Sequence, residues 1–375
     1  MCYNIQNDAC DFGKTGRTVV MKKRVRNKKK IIIWLSIAVL SISLVVFPVI
    51  SVTVYELIFG NRYETAAWAQ FSVDEYEGLQ VERSDFSSDD VTLAGYKYTK
   101  EGVGAKGVVI LSHGLGGGHN TYMPFIDRFT ANGYYVFAYD ARGNDNSEGE
   151  DVEGLPQGLI DLDNAIKHAA TIDEYQNLPV ALFGHSWGGY AVGNVLNLHP
   201  EVKAAVIVAG FNESEDMIAY HGEDKAGKGS LIMMPYLRLY EQIKFGKTYA
   251  QTSAVEGMGK TEADILIVHS RDDATVPVRY GYDKFYEAYG NDTRFDFILH
   301  ENRGHQYPLY SDAAFAYRER LNQEYLSYIE TTGKEDNEEN KNEFMYANLD
   351  KKQCFEPDPV LLDRMLALFD ACCVN

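Results

Sequence analysis

Six short, almost uninterrupted apolar runs constrain this chain most. They lie at 108–112, 134–139, 180–183, 204–209, 265–269 and 295–299. A run without polar alternation is buried on both faces, as in a parallel sheet covered by helices. Amphipathic stretches fill the gaps. Tyr122, Phe125, Ile126 and Phe129 repeat at helical spacing, and Leu159, Leu162, Ile166 and Ala169 do much the same. The alternation predicts an α/β fold with a doubly wound, mostly parallel sheet.

One interval breaks the rhythm. Residues 211–262 are too long for a single crossover, and they carry a glycine-rich turn from Gly222 to Gly229 and an apolar stretch from Leu231 to Tyr236. This predicts a helical cap over the sheet's C-terminal edge. Beyond 332 the chain turns acidic, predicting a linker. It ends in an apolar stripe of Leu361, Leu362, Met365, Leu368 and Phe369, which Asp358 would cap and Pro359 would open as a docked helix.

Ahead of the body, residues 31–55 hold no charged side chain. As a helix they would reach about 37 Å, enough for a tilted crossing of a bilayer. The preceding 30 residues carry nine Lys/Arg and two acids, a net charge of +7, against −18 for the whole chain. By the positive-inside rule residues 1–30 stay cytoplasmic, 31–59 span, and the body from residue 60 onward is extracytoplasmic. Met21 is an alternative start. The alternative to an anchor is a cleaved signal, for which Ala67-Trp68-Ala69 supplies the small-x-small pattern, but the apolar run exceeds the usual h-region. Residues 60–89 read as a lead-in and 90–332 as the main domain. The acidic body excludes a nucleic-acid binder of the usual basic kind. The five cysteines (Cys2, Cys10, Cys354, Cys372, Cys373) form neither a disulfide framework nor a zinc spacing. The last four residues formally fit C-a-a-X, but Asn375 is a poor final residue. The nine histidines are dispersed, and neither a metal nor a cofactor is expected.

The chemistry centres on Gly184-His185-Ser186-Trp187-Gly188, a G-x-S-x-G that comes after one apolar run and opens a helix. In that setting the glycines permit a sharp elbow that exposes the serine oxygen. A serine hydroxyl needs a base, and the base an orienting acid; in a fold with this strand–elbow–helix the chain order is Ser, acid, His. Only His300 and His305 come after residue 273. His300 ends a strand, whereas His305 sits after Gly304 in the next loop, and is the better base. The acid lies after the fifth run, where Asp272 and Asp273 compete. Oxyanion donors are expected from the amides of Trp187 and of Leu115, the latter in His113-Gly114-Leu115-Gly116-Gly117-Gly118 after the first run.

Together HGLGGG, GHSWGG, Asp273-Ala274-Thr275-Val276-Pro277 and Gly304-His305 resemble the α/β-hydrolase superfamily, over roughly residues 90–330. The likeness looks closest to its monoacylglycerol-lipase-like, serine-aminopeptidase-like branch. The resemblance picks Asp273 as the acid, four residues before Pro277. It implies a Ser186–His305–Asp273 hydrolase of small acyl esters. A short-peptide aminopeptidase or amidase on the same machinery is the alternative, and a silent membrane-tethered binding module the alternative of another class. One departure stands out. Where the family often has D-x-R-G-x-G-x-S, this chain reads Asp140-Ala141-Arg142-Gly143-Asn144-Asp145-Asn146-Ser147, with Asp145 at the second glycine.

Overall fold

The computed structural model describes residues 15–373. Residues 1–14, with Cys2, Cys10 and part of the basic tail, lie outside the described residues, as do Val374 and Asn375 of the C-a-a-X match. The chain forms two compact units, Met1–Val54 and Tyr55–Asn375.

The described part of the first unit is helical. Helix α1 (Thr15–Ser41) passes through a π turn (Ile42–Val46) into α2 (Phe47–Phe59), which enters the second unit. Pro48 has no N–H to give the ladder, and just before it the Phe47 N–H reaches back to Ile42 O. From Arg26 to Phe59 the helix runs 34 residues and contains an 18-residue stretch of mean hydropathy 2.6, long and apolar enough to cross a membrane.

The second unit is built on eight strands. These are β1 (Leu79–Arg83), β4 (Gly95–Lys100), β5 (Gly107–Ser112), β6 (Tyr134–Tyr139), β7 (Val180–His185), β8 (Ala204–Val208), β9 (Asp264–Ser270) and β10 (Phe295–His300), in the order β1-β4-β6-β5-β7-β8-β9-β10. The pairs β1–β4 and β4–β6 are antiparallel; every pair from β6 to β10 is parallel. The six parallel strands are the six apolar runs. Their residues alternate between two cores: Val108 and Ile110 point into one, Val109 and Leu111 into the other. Strand β2 (Phe86–Ser88) and β3 (Val91–Leu93) form a separate hairpin. Residues 60–89 therefore contain β1 and β2, where the sequence suggests only a lead-in. Both strands are short and largely polar, which hides them from apolar periodicity.

The sheet is covered on both faces. Helices α4 (Leu155–Ala169), α5 (Trp187–Val195) and α10 (Tyr282–Tyr289) contribute to the first core, and α3 (Met123–Ala131) and α14 (Pro359–Cys373) to the second. Asp358 Oδ1 accepts from the amides of Val360 and Leu361, which caps α14. Leu361, Leu362, Met365 and Phe369 are all buried.

Between β8 and β9 stand α6 (Ser214–Ala226), α7 (Met234–Phe245), α8 (Lys247–Ala250) and α9 (Ala254–Met258). Helix α6 continues through Gly222, so the turn begins only at Gly227, at φ +74°. In its middle α6 touches the loop after β9, with Tyr220 Oη on Ala274 O at 3.0 Å and His221 Nε2 on Thr275 O at 3.0 Å. Helix α7 grips the chain's entry into this unit. Tyr55 Oη donates to the buried Glu241 at 2.8 Å, and Glu56 accepts from Lys244 Nζ at 2.9 Å.

The acidic stretch after α11 (Asp312–Thr332) is partly helical: α12 (Glu338–Asn348) starts where Asn337 accepts the Asn340 amide. Glu338 and Glu339 sit favourably in its first turn. Phe344 and Met345 pack on Leu321 and Tyr325 of α11, together with Cys354 of the short α13 (Lys351–Cys354).

Candidate active site

The elbow is set by backbone contact. A Cβ on Gly184 would run into Gly188 O, and one on Gly188 into Ser112 O. Strand β7 and helix α5 can cross this closely only with glycine at both positions. Between them Ser186 is held at φ +57°, a conformation that costs an L residue on the order of 1–3 kcal/mol. The surroundings enforce it. The Ser186 amide still joins the sheet at Val208 O (2.8 Å), while its carbonyl already accepts from Tyr190 N–H (2.9 Å).

His305 arrives from the loop after β10. Its Nε2 lies 2.7 Å from Ser186 Oγ, and its Nδ1 lies 2.7 Å from Asp273 Oδ2. The other carboxylate oxygen of Asp273 accepts from the amides of Thr275 (2.9 Å) and Val276 (2.8 Å). Burial opposes ionisation of Asp273. Bonds from His269 and His305, the charge of His305 and the Val276 amide outweigh it and hold the carboxyl well below its usual range.

The structure separates the neighbouring aspartates. Asp272 Oδ1 accepts from Ser270 Oγ (2.6 Å) and from Gly304 N–H (2.9 Å). It fastens the neck of the histidine loop rather than the ring. His300 ends β10, with its Nε2 buried and without a partner among the described residues.

The amides of Leu115 and Trp187 have no protein acceptor among the described residues. Trp187 opens α5, where helix geometry leaves the first N–H groups free. A Cβ on Gly114 would touch Ser186 Cβ at 3.4 Å, which sets the glycine loop beside Ser186. His113 braces that loop: its Nδ1–H donates to Gly114 O (2.7 Å) and its Nε2 accepts from Ala141 N–H (2.8 Å).

Two supporting residues escape sequence reasoning. His185 Nε2 lies 3.1 Å from His305 O, an acceptor only, so this nitrogen carries the proton. His185 Nδ1 then accepts from Tyr122 Oη (2.8 Å), which in turn accepts from Gly114 N–H (3.2 Å). Burial, with His305 nearby, pushes His185 down to about 3 and keeps it neutral. One chain of bonds thus joins the glycine loop, the elbow and the histidine loop. Among the described residues no cluster of His, Cys, Asp or Glu could hold a metal ion.

Residues 104–258 match the family described as Serine aminopeptidase, S33. The quorum-quenching protein AidA of Acinetobacter baumannii is 32% identical over 119 residues, 30% of this chain and 36% of that protein. A monoacylglycerol lipase of Mycolicibacterium smegmatis is 31% identical over 110 residues, 28% of this chain and 38% of that one. The alignments thus span well under half of these curated relatives. Among solved structures, an esterase of Pyrococcus furiosus superposes with a TM-score of 0.52 at 15% identity, over 72% of this chain and 97% of that one. At that identity the likeness establishes the fold, which is that of the α/β hydrolases.

Proposed function

We propose that this α/β-hydrolase-fold protein is a serine hydrolase of small acyl esters, anchored in a membrane by its N-terminal helix. The observation that carries the reading is the run from Ser186 Oγ through His305 to Asp273, 2.7 Å at each step. His305 Nε2 takes the serine proton as Oγ attacks the ester carbonyl. Asp273 keeps the ring in the Nδ1–H tautomer and stabilises the imidazolium that forms. The amides of Leu115 and Trp187 face the developing oxyanion. His305 then protonates the leaving alcohol, and water repeats the sequence on the acyl-Ser186. The lipase name of the Mycolicibacterium smegmatis relative favours a carboxylic ester. The aminopeptidase description of residues 104–258 favours, as second reading, an aminoacyl amide.

The anchor reading rests on the 34-residue apolar helix and the basic run before and within its start. It places residues 1–30 in the cytoplasm and the hydrolase body outside.

A fluorophosphonate probe should label the chain and fail on Ser186→Ala, whose ester turnover should fall by on the order of 10⁶-fold. Turnover within tenfold of the parent would overturn the assignment. A panel of acyl esters and aminoacyl amides separates the two substrate readings. Protease added to intact cells should remove the body and spare the tail; protection of the body would reverse the topology.

A further inference from the structure

Asp145, where the resembled pattern carries glycine, sits at φ +36°. Aspartate tolerates that region better than most residues, but at a cost. Its carboxylate is fully engaged with a residue eighty positions earlier. Oδ1 accepts from the Thr65 amide at 2.6 Å, and Oδ2 from Thr65 Oγ1 at 2.7 Å. Thr65 Oγ1, having donated its proton, accepts from Gly118 N–H at 2.7 Å. Gly118 closes the glycine loop that begins at His113 and contains Leu115. A Cβ there would collide with the carboxylates of both Asp145 and Asp140.

The backbone reinforces the link. Tyr63 N–H donates to Gly143 O (2.9 Å) and Asp145 N–H to Tyr63 O (3.0 Å), while Arg62 reaches the carbonyls of Asp145 and Gly149. On its other side the loop is fixed by Asp140 Oδ1, which accepts from the His119 amide (3.1 Å) and from His119 Nδ1 (2.7 Å). Between these fastenings and His113, Gly116 stands at φ +97° in open space, and Leu115 is 39% exposed. The middle of the loop is therefore positioned from its ends.

We infer that Thr65, clamped by Asp145, is a positioning residue for the oxyanion loop: the segment after the apolar helix is a working part of the active site rather than a spacer. The inference rests on the Ser186–His305–Asp273 reading and adds to it that residues 61–65 set where the Leu115 amide points. Preorganised donors act only on charge that develops in the transition state. A loosened loop should therefore lower kcat and leave KM nearly alone.

The test uses the full-length chain in detergent or vesicles, with Thr65→Val, Thr65→Ser, Asp145→Gly and the Thr65→Val/Asp145→Gly double variant. Thr65→Val keeps the shape and removes the hydroxyl. It should lower kcat about tenfold or more with KM within twofold, and weaken a boronic-acid transition-state analogue by a similar factor. Thr65→Ser should restore most of the loss. If both residues act through one link, the double variant is no worse than the poorer single variant. Unchanged kcat in Thr65→Val, or losses that multiply in the double variant, would overturn the inference. Should Thr65→Val fold poorly, Asp145→Gly carries the same comparison with Thr65 intact. Ser186→Ala, run alongside, keeps the two hypotheses apart. Turnover that does not depend on Ser186 defeats the hydrolase reading, whereas Ser186-dependent turnover indifferent to Thr65 defeats only this one.

Discussion

Asp273 Oδ2 lies 2.7 Å from His305 Nδ1, while Asp272, its neighbour in sequence, accepts instead from Gly304 N–H at the neck of the same loop. Adjacent side chains in the turn after β9 point to different tasks. Asp273→Asn should cut turnover by about 10⁴-fold, because an amide cannot enforce the required imidazole tautomer. Asp272→Asn loses one acceptor at the loop neck and should cost far less. Steady-state kinetics on both variants checks this, and a reversed order would reassign the acid.

The bond from Tyr122 to His185 suggests a second measurement. Tyr122→Phe keeps the buried ring and deletes the hydroxyl that fills His185 Nδ1. His185 is then free to move its proton to Nδ1 and release His305 O. The expected result is a kcat lower by about an order of magnitude at nearly constant KM. Nitrogen chemical shifts of the His185 ring should show the tautomer change; the same shifts in parent and variant would exclude it.

Glu241 gives a prediction about pH and stability. Burial pushes its carboxyl up to about 7, against the bonds from Tyr55 and Ser214 that favour the charged form. A carboxyl raised on folding binds its proton more tightly in the folded state. It stabilises the fold below about 4.5, and that contribution is lost as pH rises to about 7. The full swing is on the order of 3 kcal/mol. His185 works in the opposite sense: buried and neutral down to about 3, it weakens the fold as pH falls below the ordinary imidazole range. Comparing Glu241→Gln with the parent cancels His185. The Tm advantage of the Gln variant should grow from pH 5 to pH 8, and a constant difference would refute a raised carboxyl.

Phe369 tests the docking of α14. It is fully buried and packs edge-on against Phe129 and Tyr134, with centroids 5.5 and 5.6 Å away. Phe369→Ala should cost about 3–5 kcal/mol. Chemical denaturation should show the loss as a lower midpoint at unchanged slope. A cost under about 1 kcal/mol would mean that α14 contributes little to the fold.

How local a signal is decides whether the chain reveals it. Strands β5 to β9 announce themselves because both faces of each are buried, and β10, though only half-buried at the sheet edge, keeps a mostly apolar run. Strands β1 and β4, at one edge, alternate polar and apolar residues and leave no such run. Helix α12 is mostly charged and amide residues, and its two anchors, Phe344 and Met345, carry too little periodicity to reveal it. The side chains around Ser186 can be named where they sit in contiguous motifs. The choice between Asp272 and Asp273 needs the family resemblance, since both occupy the same turn. Tyr122–His185 and Thr65–Asp145 leave no trace, because the pairs are brought together across 63 and 80 positions by the tertiary fold alone.

The crossing of β7 and α5 has a consequence for how such a protein changes over time. Ser186 is located by main-chain atoms meeting main-chain atoms at Gly184, Gly188 and Ser112. Side chains of the helices between β8 and β9 have no part in that contact. Substitutions there therefore leave the main-chain contacts that place Ser186 Oγ untouched. Variation in these helices and persistence of the elbow are separable in this architecture, and a library confined to exposed positions of α6 and α7 should seldom abolish probe labelling at Ser186.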